Sequence, residues 1–560
     1  MNRSSLCTLA LFLGALPWAA QAQNISAQPV APSPVAPPTA AVSAPQGAAA
    51  PEEPALAQPT GATAKFRILG YDVEGDNPIP VAESERIMAP FVSEQATLLT
   101  LQQATATFEA AMKERGYPLH RVALPPQDLG GRVKLVIVKF VIGKVTVEGN
   151  QQYSEANIRA SVPELQSGAV PNFTKLSVQT AISNENPGKQ MQVSLKESEE
   201  ADKIDVKLLV KESRSWGLAA GLTNTGTEAT GKDRYTLIGN HANLFGIDHQ
   251  FSGAFTTSLE RGKDVQQLGL NYRIPFYAYG GVLGLSYTES DVVGSFGTFH
   301  STGAGRTAGL NYSYYAAPVG GWKSYWTVGL DQKTFAPTKI NKIVLPGQVE
   351  RVSKPLTVGY TAKVESDAMV WGFNVDMAFN TSQGDAGSLA AYQAEDPRVQ
   401  KTRWKALRAG ANLMSALSKG WLWSAKGQLQ YSPTALISGE QFGIGGTTSV
   451  RGTDERPVSG DSGASFGVEL TSPEWWEGVR TIGFFDTGWV HNRAEEVNPS
   501  KLRNDQLTSV GLGLRYVNGP YAVNLDWGVL VKGSSQPETA GSTVPRSGDQ
   551  KIHWNLQARF

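Results

Sequence analysis

Residues 551–560 read KIHWNLQARF, and 521–531 read YAVNLDWGVLV. In the first stretch Trp554, Leu556, Ala558 and Phe560 fall on one side of an extended chain. In the second Tyr521, Val523, Leu525, Trp527, Val529 and Val531 do the same, with Asn524, Asp526 and Gly528 opposite. Successive side chains of a strand point to opposite faces. An apolar, aromatic face backed by a polar or small-residue face suits a wall between lipid and water. A last strand ending on an aromatic, Phe560, is expected to close that wall into a barrel, since no strand edge can stay unpaired in lipid.

The alternation extends upstream. Leu268, Leu270, Tyr272 and Ile274 alternate with Gly269, Asn271 and Arg273, and Leu356, Val358, Tyr360, Ala362 and Val364 form another such face. Sixteen segments of this kind begin near residues 216, 234, 249, 266, 281, 306, 323, 354, 369, 403, 421, 464, 479, 507, 521 and 551. Residues 213–560 then allow about 22 residues per strand and connection, of which a tilted membrane strand needs ~9–11. The remainder fits short turns alternating with long loops, and an even strand number fits bacterial outer-membrane barrels. A soluble sandwich or propeller would not show outward aromatics on so many strands. The expected fold is an all-β membrane barrel of about 16 antiparallel strands over 213–560.

Composition agrees. The 560 residues include 58 Gly, 13 Trp, 17 Tyr and 20 Phe, with only 41% hydrophobic residues. Mean hydropathy is −0.23, unsuited to a helical membrane protein. Fifty basic and fifty acidic residues give a formal net charge of zero, which argues against nucleic-acid binding. The single cysteine, Cys7, lies in residues 1–22, which read as a signal peptide. Arg3, the apolar run Leu6 to Leu16 and the small-x-small site Ala20-Gln21-Ala22 carry that reading. A mature chain without cysteine excludes a disulfide scaffold, a zinc ribbon and cysteine catalysis. Residues 23–64, rich in Ala and Pro, read as an extended or disordered linker.

Residues 65–212 carry a pattern of strand, two helices and two strands, twice over. In the first copy (65–140) the elements are Phe66–Val73, Val81–Phe91, Leu98–Arg115, His120–Leu124 and Arg132–Phe140. In the second (141–212) they are Gly143–Val147, Ser154–Val162, Phe173–Asn184, Gln190–Lys196 and Ile204–Lys211. Each first strand ends on a glycine turn, Gly75-Asp76-Asn77 or Gly149-Asn150. Two α+β domains of about 75 residues are expected, a period too long for a solenoid repeat.

Few residues suggest catalysis. Gly460-Asp461-Ser462-Gly463 has the look of a serine-protease nucleophile segment, but none of the six histidines stands in a protease context, and a Gly-rich turn explains it. His241 and His249 lack metal-ligand spacing, and Gly231-Lys232-Asp233 is not a phosphate loop. No catalytic residue, metal or cofactor is expected.

Residues 440–454, EQFGIGGTTSVRGTD, are expected to form a long loop. Arg451 could be a solvated surface residue. It could equally enter the barrel and pair with a wall carboxylate, Asp486 in Phe484-Phe485-Asp486-Thr487-Gly488, because a guanidinium and a carboxylate can pair bidentately and fix a loop tip. Spacing alone leaves both readings open.

Taken together, these motifs resemble the outer-membrane transporters of two-partner secretion, the TpsB family of haemolysin and haemagglutinin activators. Gly445-Gly446 with Val450-Arg451-Gly452 is similar to the loop motif of their superfamily, and Phe484-x-Asp486-x-Gly488 to its strand motif. The resemblance implies that Arg451 and Asp486 meet inside the barrel. It departs from the family at Thr453, where an aromatic is usual, so the aromatic anchoring of the loop is lost here. The two α+β repeats resemble POTRA domains. Glu114-Arg115-Gly116-Tyr117 and Leu124-Pro125-Pro126-Gln127 carry the likeness in the first. Val147-Glu148-Gly149-Asn150 and Asn186-Pro187-Gly188 carry it in the second, and Thr223-Asn224-Thr225-Gly226 through Asn243-Leu244-Phe245-Gly246 resembles the first barrel hairpin. Family members often have an N-terminal plug helix. Residues 23–64 lack an amphipathic helical pattern, so none, or a short one, is expected.

The resemblance implies a pore that recognises a large unfolded exoprotein, of adhesin or haemolysin type, through its POTRA domains and passes it to the cell surface without ATP. Backbone pairing along a POTRA edge strand would bind such a client with little sequence demand. Gln190, Gln192 and Ser194 are the expected contact positions. Further partners implied are outer-membrane lipid and, during biogenesis, the barrel-assembly machinery, with Trp554 and Phe560 as the C-terminal barrel signal. The alternative function is an outer-membrane protein assembly and insertion factor.

Overall fold

The computed structural model describes residues 65–560, except 129, 229, 297, 302, 338, 341–342, 345–346, 367, 499–500 and 538–543. The signal, linker and plug-helix expectations fall on residues 1–64, outside the described residues.

The first N-terminal repeat contains β1 (Phe66–Ile68), β2 (Gly70–Gly75), α1 (Val81–Met88), β3 (Ser93–Ala96), α2 (Leu98–Glu114), β4 (His120–Ala123) and β5 (Arg132–Lys139). The second contains β6 (Val141–Glu148), α3 (Glu155–Ala160), α4 (Phe173–Ser183), β7 (Lys189–Glu197) and β8 (Lys203–Glu212). Both build a three-stranded mixed sheet, in order β2-β5-β4 and β6-β8-β7, with the first strand parallel to the last. Leu101, Phe108 and Met112 of α2 bury fully against Leu135 and Val133. Leu176 of α4 and Ile158 of α3 pack on Val206 and Leu208 in the same way. Complete burial of each such side chain stabilises by ~1.5–3 kcal/mol. Ser154 and Asn172 cap α3 and α4 by accepting from the backbone N–H of Asn157 and Lys175. The glycine turns are structurally equivalent. A Cβ at Gly75 would lie 2.7 Å from the Ile137 carbonyl oxygen, and one at Gly149 would lie 2.2 Å from that of Val210. Both sit at φ near +90°, where glycine carries no steric cost.

The first strand differs from the sequence expectation. The sequence pattern predicts one strand over Phe66–Val73, but the chain breaks at Leu69, and β1 pairs with β3 in a separate two-stranded sheet. The Leu69 side chain is exposed and anchors nothing, and its N–H donates to the Gly131 carbonyl at 2.9 Å at the point where the chain passes from one sheet to the other.

The barrel strands are β9 (Trp216–Thr223), β10 (Arg234–Leu244), β11 (His249–Thr257), β12 (Gln266–Phe276), β13 (Gly281–Ser290), β14 (Gly305–Tyr315), β15 (Trp322–Phe335), β16 (Pro355–Glu365), β17 (Met369–Asn380), β18 (Lys405–Ala416), β19 (Leu422–Tyr431), β20 (Ser462–Thr471), β21 (Val479–His491), β22 (Asn504–Asn518), β23 (Tyr521–Lys532) and β24 (Gln550–Arg559). A short segment, Arg351–Ser353, leads into β16. Every neighbour is antiparallel, and β24 closes on β9. Trp326, Trp489, Trp527 and Phe560 are exposed on the outer face, as a lipid boundary requires. Gln267, Asn271 and Arg273 of β12 turn inward and are buried. On the side of the N-terminal repeats the connections are short, such as 245–248 and 519–520. On the far side they are long. The fifth far-side loop (L5, 381–404) carries α5 (Leu389–Glu395), and the sixth (L6, 432–461) is the longest.

Candidate functional site

L6 folds back into the lumen instead of projecting from it. Its apolar residues Ile444, Val450 and Val458 are buried against Val490, Leu507 and Leu530 of the wall. Alternation along β21 turns Phe484, Asp486 and Gly488 inward, while Phe485 and Trp489 face out. Gly488 leaves the space that Ile444 and Val450 fill, since a Cβ there would come within 2.8 Å of Ile444 and 3.3 Å of Val450.

Arg451 sits at the tip. Its Nε donates to Asp486 Oδ2 at 2.7 Å and its Nη2 to Asp486 Oδ1 at 3.1 Å, the bidentate pair. Nη1 donates to Glu469 at 2.9 Å, and Asp526 lies 3.6 Å away. The guanidinium stacks 3.5 Å over the Phe484 ring. Asp486 is fully buried and Arg451 nearly so. Arg515, 2.6 Å from Asp526, adds a second cation to the three carboxylates. Lys426 adds a third, donating to the Thr448 carbonyl at 3.2 Å. The cluster balances in charge, which makes its burial tolerable. Removing one member would strand the others, and an uncompensated buried charge is the costly state.

Gly452 follows Arg451 at φ +98°. Its N–H donates to His553 Nε2 of β24 at 2.9 Å. It presses so closely on β23 that a Cβ at Gly528 would lie 2.7 Å from its nitrogen. Thr453, in the aromatic's place, is buried. Its hydroxyl accepts the Gly446 N–H at 2.9 Å and lies 3.2 Å from the Val450 carbonyl oxygen, closing the loop on itself. Asp454 meets Lys551 Nζ at 2.5 Å.

Two further ionic nodes hold L6, and sequence reasoning missed both. Glu440 is fully buried and takes Lys333 Nζ at 3.2 Å, Arg408 Nη2 at 2.9 Å and the Ser353 hydroxyl at 2.9 Å. Asp461, also buried, takes Arg398 Nη1 of L5 at 2.8 Å and the backbone N–H groups of Leu436 and Arg493. The Gly460–Gly463 segment is therefore the end of L6, with Asp461 engaged by Arg398. Ser462 Oγ donates to the Ser432 carbonyl. Among the described residues, no group of three or more His, Cys, Asp or Glu side chains is arranged to hold a metal.

A second buried cluster joins the second repeat to the barrel. Lys189 Nζ lies 2.5 Å from Asp248 in the first short turn, and Tyr277 donates to the same carboxylate at 2.7 Å. Glu185 accepts from Arg273 at 2.5 Å and from Tyr315 at 2.6 Å. Val178 and Ile182 of α4 pack there against Val282, Tyr315 and Tyr325. Burial alone would raise the Glu185 carboxyl, but Arg273 and the Tyr315 hydroxyl hold it below its ordinary value. Burial lowers the Lys189 ammonium, against the pull of Asp248. Asn186, singled out for its turn, belongs to this joint through its bond to the Ala242 carbonyl at 2.8 Å.

The remaining expected residues lie elsewhere. Among the described residues β7 pairs with β8 alone, so it is an edge, and Gln190, Gln192 and Ser194 are exposed along it. Trp554 on β24 and Phe560 just past its end lie on the outward side, with Phe560 the more exposed.

Comparisons with known proteins agree with this architecture. Residues 202–516 match the family described as haemolysin secretion/activation protein ShlB/FhaC/HecB, and 66–139 match the ShlB-type POTRA domain. The outer membrane transporter CdiB of Dickeya dadantii (strain 3937) is 26% identical, over 76% of either chain. That of Escherichia coli is 22% identical, over 82% of this chain and 80% of its own. Among solved structures, CdiB from Escherichia coli matches with a TM-score of 0.69 at 18% identity, covering 91% of this chain and 93% of that one. CdiB from Acinetobacter baumannii gives 0.66 at 16%, covering 89% and 90%.

Proposed function

The chain belongs to the ShlB/FhaC/HecB family of haemolysin secretion/activation proteins, the outer-membrane transporters of two-partner secretion, and we propose that its lumen-lodged loop L6 controls the passage of one large exoprotein. The POTRA domains are periplasmic, and the partner class is the secreted exoprotein of a two-partner system.

The observation that carries the reading is the Arg451–Asp486 pair, which holds a long loop inside a barrel of sixteen strands. A barrel of that size encloses an aqueous channel. L6 occupies it, and an extended chain can pass once the loop yields. A wall of antiparallel strands does not need L6 to close, so the loop can move while the barrel persists.

The unfolded exoprotein adds a strand to the edge β7, along Gln190, Gln192 and Ser194. The POTRA region comprises 65–140 and 141–212, the barrel 213–560, and residues 1–22 and 23–64 are signal and linker. Folding of the exoprotein outside the cell supplies the drive in place of ATP. The outward face of β24, with Trp554 and Phe560, serves as the barrel signal read by the barrel-assembly machinery, and outer-membrane lipid covers the aromatic face.

The test is the secreted proteome of a deletion strain, complemented with wild type or with a chain lacking 66–212. One large secreted protein should vanish and return only with wild type. Unchanged secretion with many outer-membrane barrels depleted would overturn the reading.

A further inference from the structure

We infer that His553 is the positioning residue that seats the tip of L6 on the closing strand, through a hydrogen bond only its neutral ring can make. The inference rests on L6 being the part that yields during passage.

The Gly452 N–H donates to His553 Nε2 at 2.9 Å, so that nitrogen presents its lone pair and the proton lies on Nδ1. Among the described residues Nδ1 has no hydrogen-bond partner, and the side chain is buried. The ring is thus placed for one contact, to a backbone group that no side-chain substitution in L6 could replace. Gly528 supplies the close approach on the neighbouring strand, and Lys551, two residues before His553, binds Asp454 of the same loop. β24 is also the strand that closes the barrel on β9. The tip therefore bears on two sides of the wall: Arg451 on β20 and β21, and Gly452 on β23 and β24.

A second proton changes the contact. Nε2 becomes a donor, and two N–H groups then face each other across 2.9 Å. The charged groups around the ring are Lys551 on its own strand, Asp526 on β23, and Arg451 and Asp454 on L6. β9 brings Thr223 and Asn224, neither ionisable. The net worth of one neutral hydrogen bond corresponds to about fivefold in the equilibrium between seated and free tip.

The test uses the full chain in planar lipid bilayers, recording ion conductance at about pH 7.5 and about pH 5, on either side of the ordinary imidazole value of ~6.5 that the ring takes once the tip is released, so that acid favours release. Wild type, His553→Gln, His553→Leu and Asp486→Ala are compared, each first shown to be a folded barrel by heat-modifiable migration. Wild type should open about fivefold more often in acid. His553→Gln, whose amide oxygen still accepts from Gly452, should stay closed at both pH values, and His553→Leu should open at both. Identical behaviour of Gln and Leu, or a wild-type acid response retained in Gln, would overturn the inference. Opening in Asp486→Ala but not in His553→Leu would overturn it while sparing the loop reading. No opening in either would overturn both.

Discussion

Buried ion pairs at the base of the barrel and buried ion pairs at the tip of L6 serve the protein differently. At the joint between the second POTRA domain and the barrel, Lys189–Asp248 and Glu185–Arg273 flank an apolar cluster of Val178, Ile182, Val282, Tyr315 and Tyr325. Lys189 and Arg273 stand on strands, Glu185 and Asp248 stand in short turns, and all four side chains are buried or nearly so, with little room to rearrange. In the lumen, Arg451 faces Asp486, Glu469 and Asp526 from a glycine-flanked loop tip, with Arg515 and Lys426 close by. There a departing Arg451 leaves carboxylates that Arg515 and Lys426 can still partly neutralise. The same chemistry makes a fixed hinge plate in one region and a releasable latch in the other. What separates them is the number of alternative partners and the stiffness of the chain that carries each charge.

The largest effect is expected at the joint. Asp248→Ala leaves Lys189 buried without its carboxylate, a loss of about 3–5 kcal/mol. Limited proteolysis should then cut readily between the POTRA region and the barrel, near residues 213–215, while the barrel core survives. Undiminished protection would break the distinction, since the joint would not depend on its ion pair.

A wall substitution that touches no charge sharpens it further. Gly528→Ala places a methyl 2.7 Å from the Gly452 nitrogen, against backbone that cannot swing aside. The tip must shift, so secretion should fall several-fold with the barrel intact, and a crosslink between L6 and β23 should weaken. Gly483, whose added Cβ meets nothing nearer than 3.9 Å, is the control: Gly483→Ala should leave secretion unchanged.

Acid should distinguish the joint as well. Glu185 titrates below its ordinary value when docked, and an undocked glutamate titrates near ~4.3. Its contribution is therefore complete above that ordinary value and is lost as pH falls through the lower docked value. Protection of the POTRA–barrel connection should drop in that acid window, and Glu185→Gln should remove this component. A drop of equal size in Glu185→Gln would assign it to other groups.

The smallest effect is expected at Thr453. Thr453→Val removes the acceptor for the Gly446 N–H, a cost of about 1 kcal/mol, and should lower secretion modestly. An effect as large as that of Asp486→Ala would make Thr453 a member of the latch instead of an internal tie.

The barrel was legible because alternation repeats on every strand. The sixteen expected starts fall within three residues of the observed ones, the largest gap being 507 against 504. The POTRA helices were legible because the same order of strand, two helices and two strands recurs in both copies. The break at Leu69 was not, because β1 is only three residues long and its partner β3 carries a polar sequence, Ser-Glu-Gln-Ala. At the site, Arg451 and Asp486 could be paired only because their motifs resemble a known family; spacing left the pair open. Glu440 and Lys333 are 107 residues apart, and Arg398 and Asp461 are 63 apart. Glu440, Arg398 and Asp461 sit in loops with no period, Lys333 sits near the end of β15, and only the fold of L5 and L6 brings them together. The joint was half legible. Asn186-Pro187-Gly188 and the Asn243 turn stood out separately, but nothing in the sequence said that they touch.

The most direct test of the account is secretion by Asp486→Ala, measured beside the heat-modifiable, folded fraction in the outer membrane. The account predicts a folded barrel at wild-type abundance and secretion reduced by about tenfold or more, as loss of a buried charge partner implies. Wild-type secretion by that variant, from an equally abundant folded barrel, would contradict the claim that the Arg451–Asp486 latch controls the pore.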